Sequence, residues 1–230
     1  MNALLCESTY FCVALTLVAF AVGTLVKNKL RLAVFNPILI AGVIIILVLK
    51  LLGIPNSVYQ AGCSVLSYLL TPATICLAIS FCEQLDSLKK HLAAITLGVL
   101  AGTVCSLGSV WALAQLLGLD RVVALSLLPK SITTAIGVVL SEEIGGLAAV
   151  TTAVIILSGI LGNVLGLLLC RLFRLKSPIA QGVAFGTASH VFGTTKASEL
   201  SQLAGAVSSF SLTLAGIFTC VIMSFLAQYL

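Results

Sequence analysis

Six long apolar runs, almost free of charge, dominate the sequence and leave the chain few ways to fold. Their only charged residues are Lys50 and Arg171, each among the last three residues of its run. Charged residues make up 8% of the chain, against about 25% in soluble domains. The mean hydropathy is +1.22. A chain this apolar has more apolar surface than a small domain can bury in water. The pattern predicts an all-α polytopic membrane protein with about six full spans, namely Ser8–Val26, Pro37–Leu52, Gly62–Phe81, Leu92–Leu117, Leu147–Phe173 and Leu203–Leu230.

The cations at the ends of these runs predict the topology. Lys27, Lys29 and Arg31 follow the first run, and loops rich in Lys and Arg stay in the cytoplasm. We therefore expect a multi-pass protein of the cell (inner or cytoplasmic) membrane with its N-terminus outside. A cleaved signal peptide carries its cations before the apolar stretch, where this chain has Glu7. The net charge of +5 indicates topology rather than nucleic-acid binding, because no basic stretch is interleaved with aromatic residues.

Two further stretches, 120–146 and 177–202, do not fit plain spans. Each has two short apolar halves around a polar centre marked by Gly or Pro. A half of about 7–12 residues forms about 10–18 Å of helix, which crosses only part of a ~30 Å hydrocarbon core. We expect two broken helical hairpins that are re-entrant from opposite faces of the membrane.

The charges that follow the first of these stretches favour re-entry. If 120–146 dips in and returns, Arg171, Arg174 and Lys176 fall on the cytoplasmic side. If it crosses fully, they fall outside, and a broken crossing helix remains the alternative. Opposed hairpins are typical of inverted-repeat transporters with discontinuous helices. We expect one membrane domain over 1–230, with four spans in 1–118 and two broken hairpins and two spans in 119–230.

The polar centre of the first stretch predicts an anion site. Lys130 follows Pro129, and an ammonium at membrane depth costs at least about 2.5–3.5 kcal/mol unless it meets water, a partner or an anionic ligand. Ser131, Thr133 and Thr134 add hydroxyl donors at the start of the next half-helix, whose free N–H groups favour an anion. The alternative is a lysine that snorkels to the membrane interface.

The polar centre of the second stretch supplies the other predicted substrate contacts. His190 titrates near neutral pH, so it is a candidate for coupling a proton to transport. A structural histidine bonded to a backbone carbonyl is the alternative. The hydroxyls and glycine around it are further candidates to bind a small anion: Thr187, Ser189, Gly193, Thr194 and Thr195.

A third group of residues is assigned to a cavity or coupling role, each with a structural alternative. Lys196 and Glu199 are three residues apart and pair on one helix face in the alternative. Asn36 alternatively caps the second span, because Pro37 suits a first helical position. The remaining members alternatively mark a plain kink: Thr71, Pro72 and Thr74.

Enzymatic and metal chemistry find little support in the sequence. The chain has eight cysteines but no CxxC motif and no cysteine at metal-ligand spacing from a histidine, which is typical of small apolar residues in packed helices. Asp86 and Asp120 lie in loops, and neighbours such as Lys130 and Ser131 do not face each other on a helix. We expect no enzyme activity, no cofactor and no metal.

Two long motifs resemble those of the LrgB/CidB family. Leu128–Thr134 is similar to its LPKSVTT motif, and Gly186–Thr194 to its GTASHxxGT motif, followed by an acidic step at Glu199. The similarity runs from about residue 10 to the C-terminus. One departure is Thr195-Lys196, where some relatives carry Ala-Arg, so a cation remains but its geometry changes.

This resemblance implies two competing functions. The family was first described as antiholin-like, modulating murein hydrolase export and autolysis with a small LrgA/CidA-type membrane partner. Later members resemble transporters of small carboxylates such as pyruvate, glycolate and glycerate. The resemblance implies transport of a small monocarboxylate, with proton coupling as an option, by an elevator-like movement in a homodimer. The antiholin-like regulator is the alternative.

Overall fold

The computed structural model describes residues 9–30 and 37–226, and every regular element within those ranges is a helix. The α-helices are α1 (Thr9–Leu30), α2 (Pro37–Leu52), α3 (Asn56–Gly62), α4 (Ser64–Tyr68), α5 (Leu70–Glu83), α6 (Leu85–Leu116), α7 (Arg121–Leu127), α8 (Thr134–Glu143), α9 (Ala148–Leu172), α10 (Pro178–Leu200) and α11 (Gln202–Leu226). A short 3-10 helix, Leu128–Ser131, separates α7 from α8.

Four of the described helices are long and apolar enough to cross a membrane: α1, α6, α9 and α11. The pair α2 and α3, bent by 120°, supplies a fifth if it forms one span. Large apolar side chains stay exposed on these helices, for example Leu17 at 59% and Leu168 at 62%. Exposing so much apolar surface to water would be costly, whereas contact of this surface with lipid is favourable.

The predicted third span, Gly62–Phe81, is not one continuous helix. Turns at Cys63 and Leu69 divide this run among α3, α4 and α5. The break lies just before Pro72 rather than at it. Because Pro72 falls in the first turn of α5, its missing N–H removes no hydrogen bond within the helix. The expected six full spans therefore become four or five among the described residues.

The chain divides into two compact units, Met1–Cys76 and Leu77–Leu230. In the first unit α1 packs along α2, and Gly23 leaves no room for a side chain against the backbone of Pro37. The hydroxyl of Thr16 lies 2.6 Å from that of Tyr59, which joins α1 to α3. In the first unit, helix packing therefore joins α1 to α2, and a hydrogen bond between side chains joins α1 to α3.

In the second unit, α6 and α11 pack against each other and α10 packs against both, whereas α9 packs against α10, α8 and the 3-10 helix. Leu88 and Val99 of α6 are buried with Val207 of α11 in one apolar cluster. A second cluster joins Leu107 of α6 and Met223 of α11 to the residues around the 3-10 helix. Both helix breaks predicted from the sequence therefore lie in this unit.

The first break is stabilised by a buried network of three hydroxyls. Ser126, Ser141 and Thr151 are all fully buried. Thr151 donates to the Ser126 carbonyl at 2.9 Å or to the Ser141 hydroxyl at 2.6 Å, and the Leu147 amide donates to the Ser126 hydroxyl at 2.7 Å. Because residues 126 and 147 meet, the chain turns back between them. The network ties α7, the end of α8 and the start of α9 together.

The second break folds α10 back on itself. Ser189 and His190 leave helical geometry, and His190 has a positive φ of 41°, a strained value for a residue with a side chain. In a continuous helix, residues eight apart are separated by about 12 Å. Here Gly193 has no room for a Cβ because the carbonyl oxygen of Phe185 lies against it. The element is therefore a helical hairpin with halves 178–188 and 191–200.

Helix α9 receives this hairpin through a row of glycines. A Cβ at Gly159 would meet the rings of His190 and Phe192, and one at Gly162 would meet the side chain of Ser189. Gly166 accepts the ring of Phe185 in the same way. Backbone approach at small residues is how membrane helices pack closely.

We expect Thr151→Val to destabilise the protein by about 1–3 kcal/mol, because it removes a buried donor from Ser126 and Ser141 and leaves polar atoms without a partner. The matched control is Thr152→Val, whose hydroxyl bonds only to the Ala148 carbonyl of its own helix at 2.8 Å. Unfolding of the purified variants in detergent, by heat or by SDS titration, measures the difference. Equal midpoints for the two variants would show that the network does not hold the break.

Candidate functional site

Four elements of the second unit line a small cavity that contains five hydroxyl side chains among apolar ones. Its lining comes from α6, the first helix break, the first half of α10 and α11. The volume is about 10 Å³, enough for about one water molecule. The lining residues are Thr103, Ser106, Leu107, Leu128, Ser131, Ile132, Thr187, Ala215 and Thr219. Both predicted polar centres thus contribute to one space, through Ser131 and Thr187.

Lys130 lies beside this cavity. Its side chain is half-buried, and Nζ lies 3.1 Å from the hydroxyl of Ser131 and 3.4 Å from that of Ser106. Those two hydroxyls are 3.0 Å apart. In the part of the chain that the structure describes, the two ion pairs are Lys89 with Asp86 and Lys196 with Glu199. Within that part, the ammonium of Lys130 therefore has serine hydroxyls but no carboxylate as partners.

Buried hydroxyls without a hydrogen-bond partner cluster in the same region. Thr103, Thr187 and Ser211 are each less than 10% exposed, and their side-chain oxygens have no partner among the described residues. Thr103 and Thr187 line the cavity, and Ser211 lies one turn before Ala215 on α11. An unpaired buried polar group is costly, so such a group calls for an explanation such as a ligand or a bound water.

The other predicted residues of the first break frame the site without entering the cavity. Pro129 is buried within the 3-10 helix. Because proline has no amide hydrogen, it helps the chain leave helical geometry there. Thr133 precedes α8 and makes no capping bond with its side chain, and Thr134 begins that helix. Both threonines are half-buried. The N-terminus of α8 therefore lies four residues after Lys130.

His190 faces α9 rather than the cavity. Its Nε2 lies 2.9 Å from the Ile155 carbonyl, which can only accept, so Nε2 carries a proton and donates. The ring packs edge-on against Phe192 with centroids 5.4 Å apart. The hydroxyl of Thr194 donates to the His190 carbonyl at 3.0 Å or to Ser208 at 2.9 Å. This arrangement matches the structural alternative, and a proton-coupling role for His190 stays a prediction.

The remaining candidates of α10 do not line the cavity. Ser189 is buried against Gly162, and Gly193 lies where the two halves of α10 touch. Thr195 is exposed and donates to the Phe192 carbonyl at 2.8 Å. Lys196 and Glu199 form an ion pair of 2.6 Å. Thr71 and Pro72 are exposed on α5, whereas Asn36 and the side chain of Thr74 lie outside the described residues.

Three hydroxyl residues of the cavity lining were absent from the sequence prediction: Thr103, Ser106 and Thr219. Thr103 and Ser106 are three residues apart and so share one face of α6. The adjacent Gly102 brings α6 close to α10, because a Cβ there would lie 2.9 Å from the Thr187 methyl. Hydroxyl residues at helical spacing inside an apolar run were the available signal.

An apolar groove of about 350 Å³ lies between α9 and α10. Leu161, Leu165 and Phe173 line it with Phe185, and Ser158 and Ser189 are the hydroxyl residues in its lining. Such a lining suits hydrocarbon rather than an anion. The groove is therefore separate in chemistry from the cavity beside Lys130.

These features define a polytopic helical membrane protein whose two broken helices both contribute to a small hydroxyl-containing cavity between longer helices. The chain belongs to the LrgB-like family, whose model matches residues 16–229.

Relatives include the antiholin-like protein LrgB of Bacillus mycoides (strain KBAB4) and that of Bacillus cereus (strain B4264). Each is 36% identical over 215 residues, covering 93% of this chain and 94% of the relative. No solved structure matches the chain significantly.

We expect Gly162→Ala to destabilise the second helix break by about 1–3 kcal/mol, because a methyl group there overlaps the side chain of Ser189. Gly108→Ala is the control, since a Cβ at Gly108 has nothing within 4 Å. That control should melt at the wild-type temperature or slightly above it, because alanine favours helix over glycine. Thermal unfolding in detergent distinguishes the two, and an unshifted melt for Gly162→Ala would contradict the packing.

Proposed function

We propose that this protein transports small monocarboxylate anions, of about the size of pyruvate or glycolate, across the cell membrane. The observation that carries this is the ammonium of Lys130, which lies at a helix break among hydroxyls and has no carboxylate partner in the described chain. A half-buried charge in an apolar protein is costly unless an opposite charge or water compensates it. A bound anion supplies that compensation.

The surrounding groups suit a small carboxylate. Ser131 and Thr187 place hydroxyl donors beside the cavity, and α8 begins four residues after Lys130, so its free amides add positive potential. The carboxylate would contact the ammonium of Lys130. A lysine ammonium is a compact charge with three rotatable donors, so it can bind many different small anions. This favours recognition by charge and size over a rigid fit.

The transport cycle we propose uses the broken elements as a mobile core. The two hairpins would enter from opposite faces as an inverted repeat, and the core would move past a scaffold formed by a homodimer. This movement would carry the anion between the two sides of the bilayer. His190 would couple a proton only if its bond to Ile155 opens during the cycle.

A second candidate function is an antiholin-like regulator of murein hydrolase export and autolysis, acting with a small LrgA/CidA-type membrane protein. The names of the relatives favour this function directly, and more strongly than they favour transport. It offers no separate role for Lys130 and its hydroxyl partners. The two proposals are compatible if carboxylate flux itself alters autolysis.

Reconstituted liposomes test the transport proposal. We expect the wild-type protein to move labelled pyruvate or glycolate, and Lys130→Ala to lower the initial rate by about ten- to hundredfold, as loss of a charged hydrogen bond predicts. Lys89→Ala is the control, because Lys89 is an exposed lysine paired with Asp86. It should keep the wild-type rate.

Two outcomes would contradict the proposal. One is that no small carboxylate moves, with or without a pH gradient or the small partner protein. The other is that Lys130→Ala folds and transports like the wild type. Autolysis of cells that express Lys130→Ala then separates the candidates, because a direct antiholin-like regulator should keep its effect on autolysis when flux is lost.

A further inference from the structure

The cavity between α6, α10 and α11 is lined by buried hydroxyl groups that lack hydrogen-bond partners, and it lies beside the ammonium of Lys130. The Lys130 ammonium donates toward the hydroxyl oxygens of Ser131 and Ser106. The contact between these two serines uses one of their two hydroxyl protons, and the other is left over. Thr103 and Thr187 contribute two more hydroxyl protons without an acceptor among the described residues. Three hydroxyl protons around a space for about one oxygen atom are therefore available to donate.

The unpaired hydroxyls and the neighbouring ammonium of Lys130 together decide what kind of atom the cavity accepts. A metal cation would lie next to the ammonium, which already occupies the accepting side of Ser106 and Ser131. An apolar group would leave the hydroxyls of Thr103 and Thr187 buried and unpaired. A neutral oxygen that accepts hydrogen bonds satisfies them.

The size of the cavity separates it from the place of the carboxylate. A volume of about 10 Å³ holds one oxygen but not a whole carboxylate group. The wall of the cavity nearest to Lys130 is Ser131, whose hydroxyl is 3.1 Å from Nζ. A ligand with its carboxylate on Lys130 therefore reaches the cavity with the atom attached to its next carbon.

We propose that Thr103 and Thr187 form a subsite for one hydroxyl or carbonyl oxygen on the carbon next to the carboxylate, which makes them specificity-determining residues. This inference rests on the proposed function, because it assumes that a carboxylate binds at Lys130. Acids that carry the oxygen satisfy the buried hydroxyls, whereas acids with only hydrogen there leave them unpaired. Sites built to bond such a group reject analogues that lack it.

The test uses three acids with three carbons and the same charge: propionate, lactate and pyruvate. Calorimetry on the purified full chain in detergent measures each affinity. We expect the wild type to bind lactate and pyruvate at least tenfold more tightly than propionate. Thr103→Val, which replaces a hydroxyl by a methyl of similar size, should reduce this preference to about threefold or less and leave the affinity for propionate unchanged.

Three further variants test whether the hydroxyl groups themselves cause the preference. Thr187→Val should act as Thr103→Val does, and Thr103→Ser should keep the preference because it retains the hydroxyl. Thr213→Val on α11 is the control, since its exposed hydroxyl already donates to the Ser209 carbonyl at 3.0 Å. Melting without ligand adds a second measurement. Thr103→Val should melt at or above the wild-type temperature, because an unpaired buried hydroxyl is lost.

Results that contradict these expectations show whether the subsite alone fails or the transport proposal fails with it. Equal wild-type affinity for the three acids overturns the subsite but leaves the transport proposal standing. A cavity that holds only a structural water is indicated if Thr103→Val lowers the melting temperature and keeps the preference, and this too overturns the subsite. If none of the acids binds to the folded wild-type protein, both proposals fail together.

Discussion

Polar groups that enter the apolar interior must find partners there, and this requirement shapes the second unit of the protein. Breaking a helix frees backbone amides and carbonyls that lipid cannot satisfy. At the first break, Ser126 and Thr151 bond to freed or neighbouring groups. At the second, His190 and Thr194 do the same toward α9 and α11. Two interrupted helices can persist inside one packed unit because of these bonds.

Against this background the unsatisfied groups stand out. Among the described residues they are Thr103 and Thr187, which line the cavity beside Lys130, and Ser211, one turn before Ala215 on α11. The same unit pairs the hydroxyls of Ser126, Ser141 and Thr151 but leaves two hydroxyls of the cavity without hydrogen-bond partners. Buried polar groups that have no hydrogen-bond partner within the fold are expected where a ligand supplies the missing partner.

The sequence located the two breaks but not everything that surrounds them. Lys130 and His190 lie where Pro, Gly and hydroxyl residues interrupt apolar halves, and such local signals are readable from sequence. The direction of His190 depends on the Ile155 carbonyl of another helix, which no local pattern encodes. Thr103 and Thr219 look like ordinary small residues of apolar helices, so only tertiary packing reveals their shared cavity. The division of residues 62–81 among short helices was missed because hydropathy alone does not report turns.

The glycine row of α9 has a mechanical consequence. Side chains of the folded-back α10 are seated in the spaces at Gly159, Gly162 and Gly166, so the two elements interlock along about two turns. Sliding one past the other would lift several side chains out of these seats at once, and close-packed interfaces resist such gradual displacement. Any large displacement of the hairpin is therefore transmitted to α9, and the flexible joints of the molecule lie outside this pair.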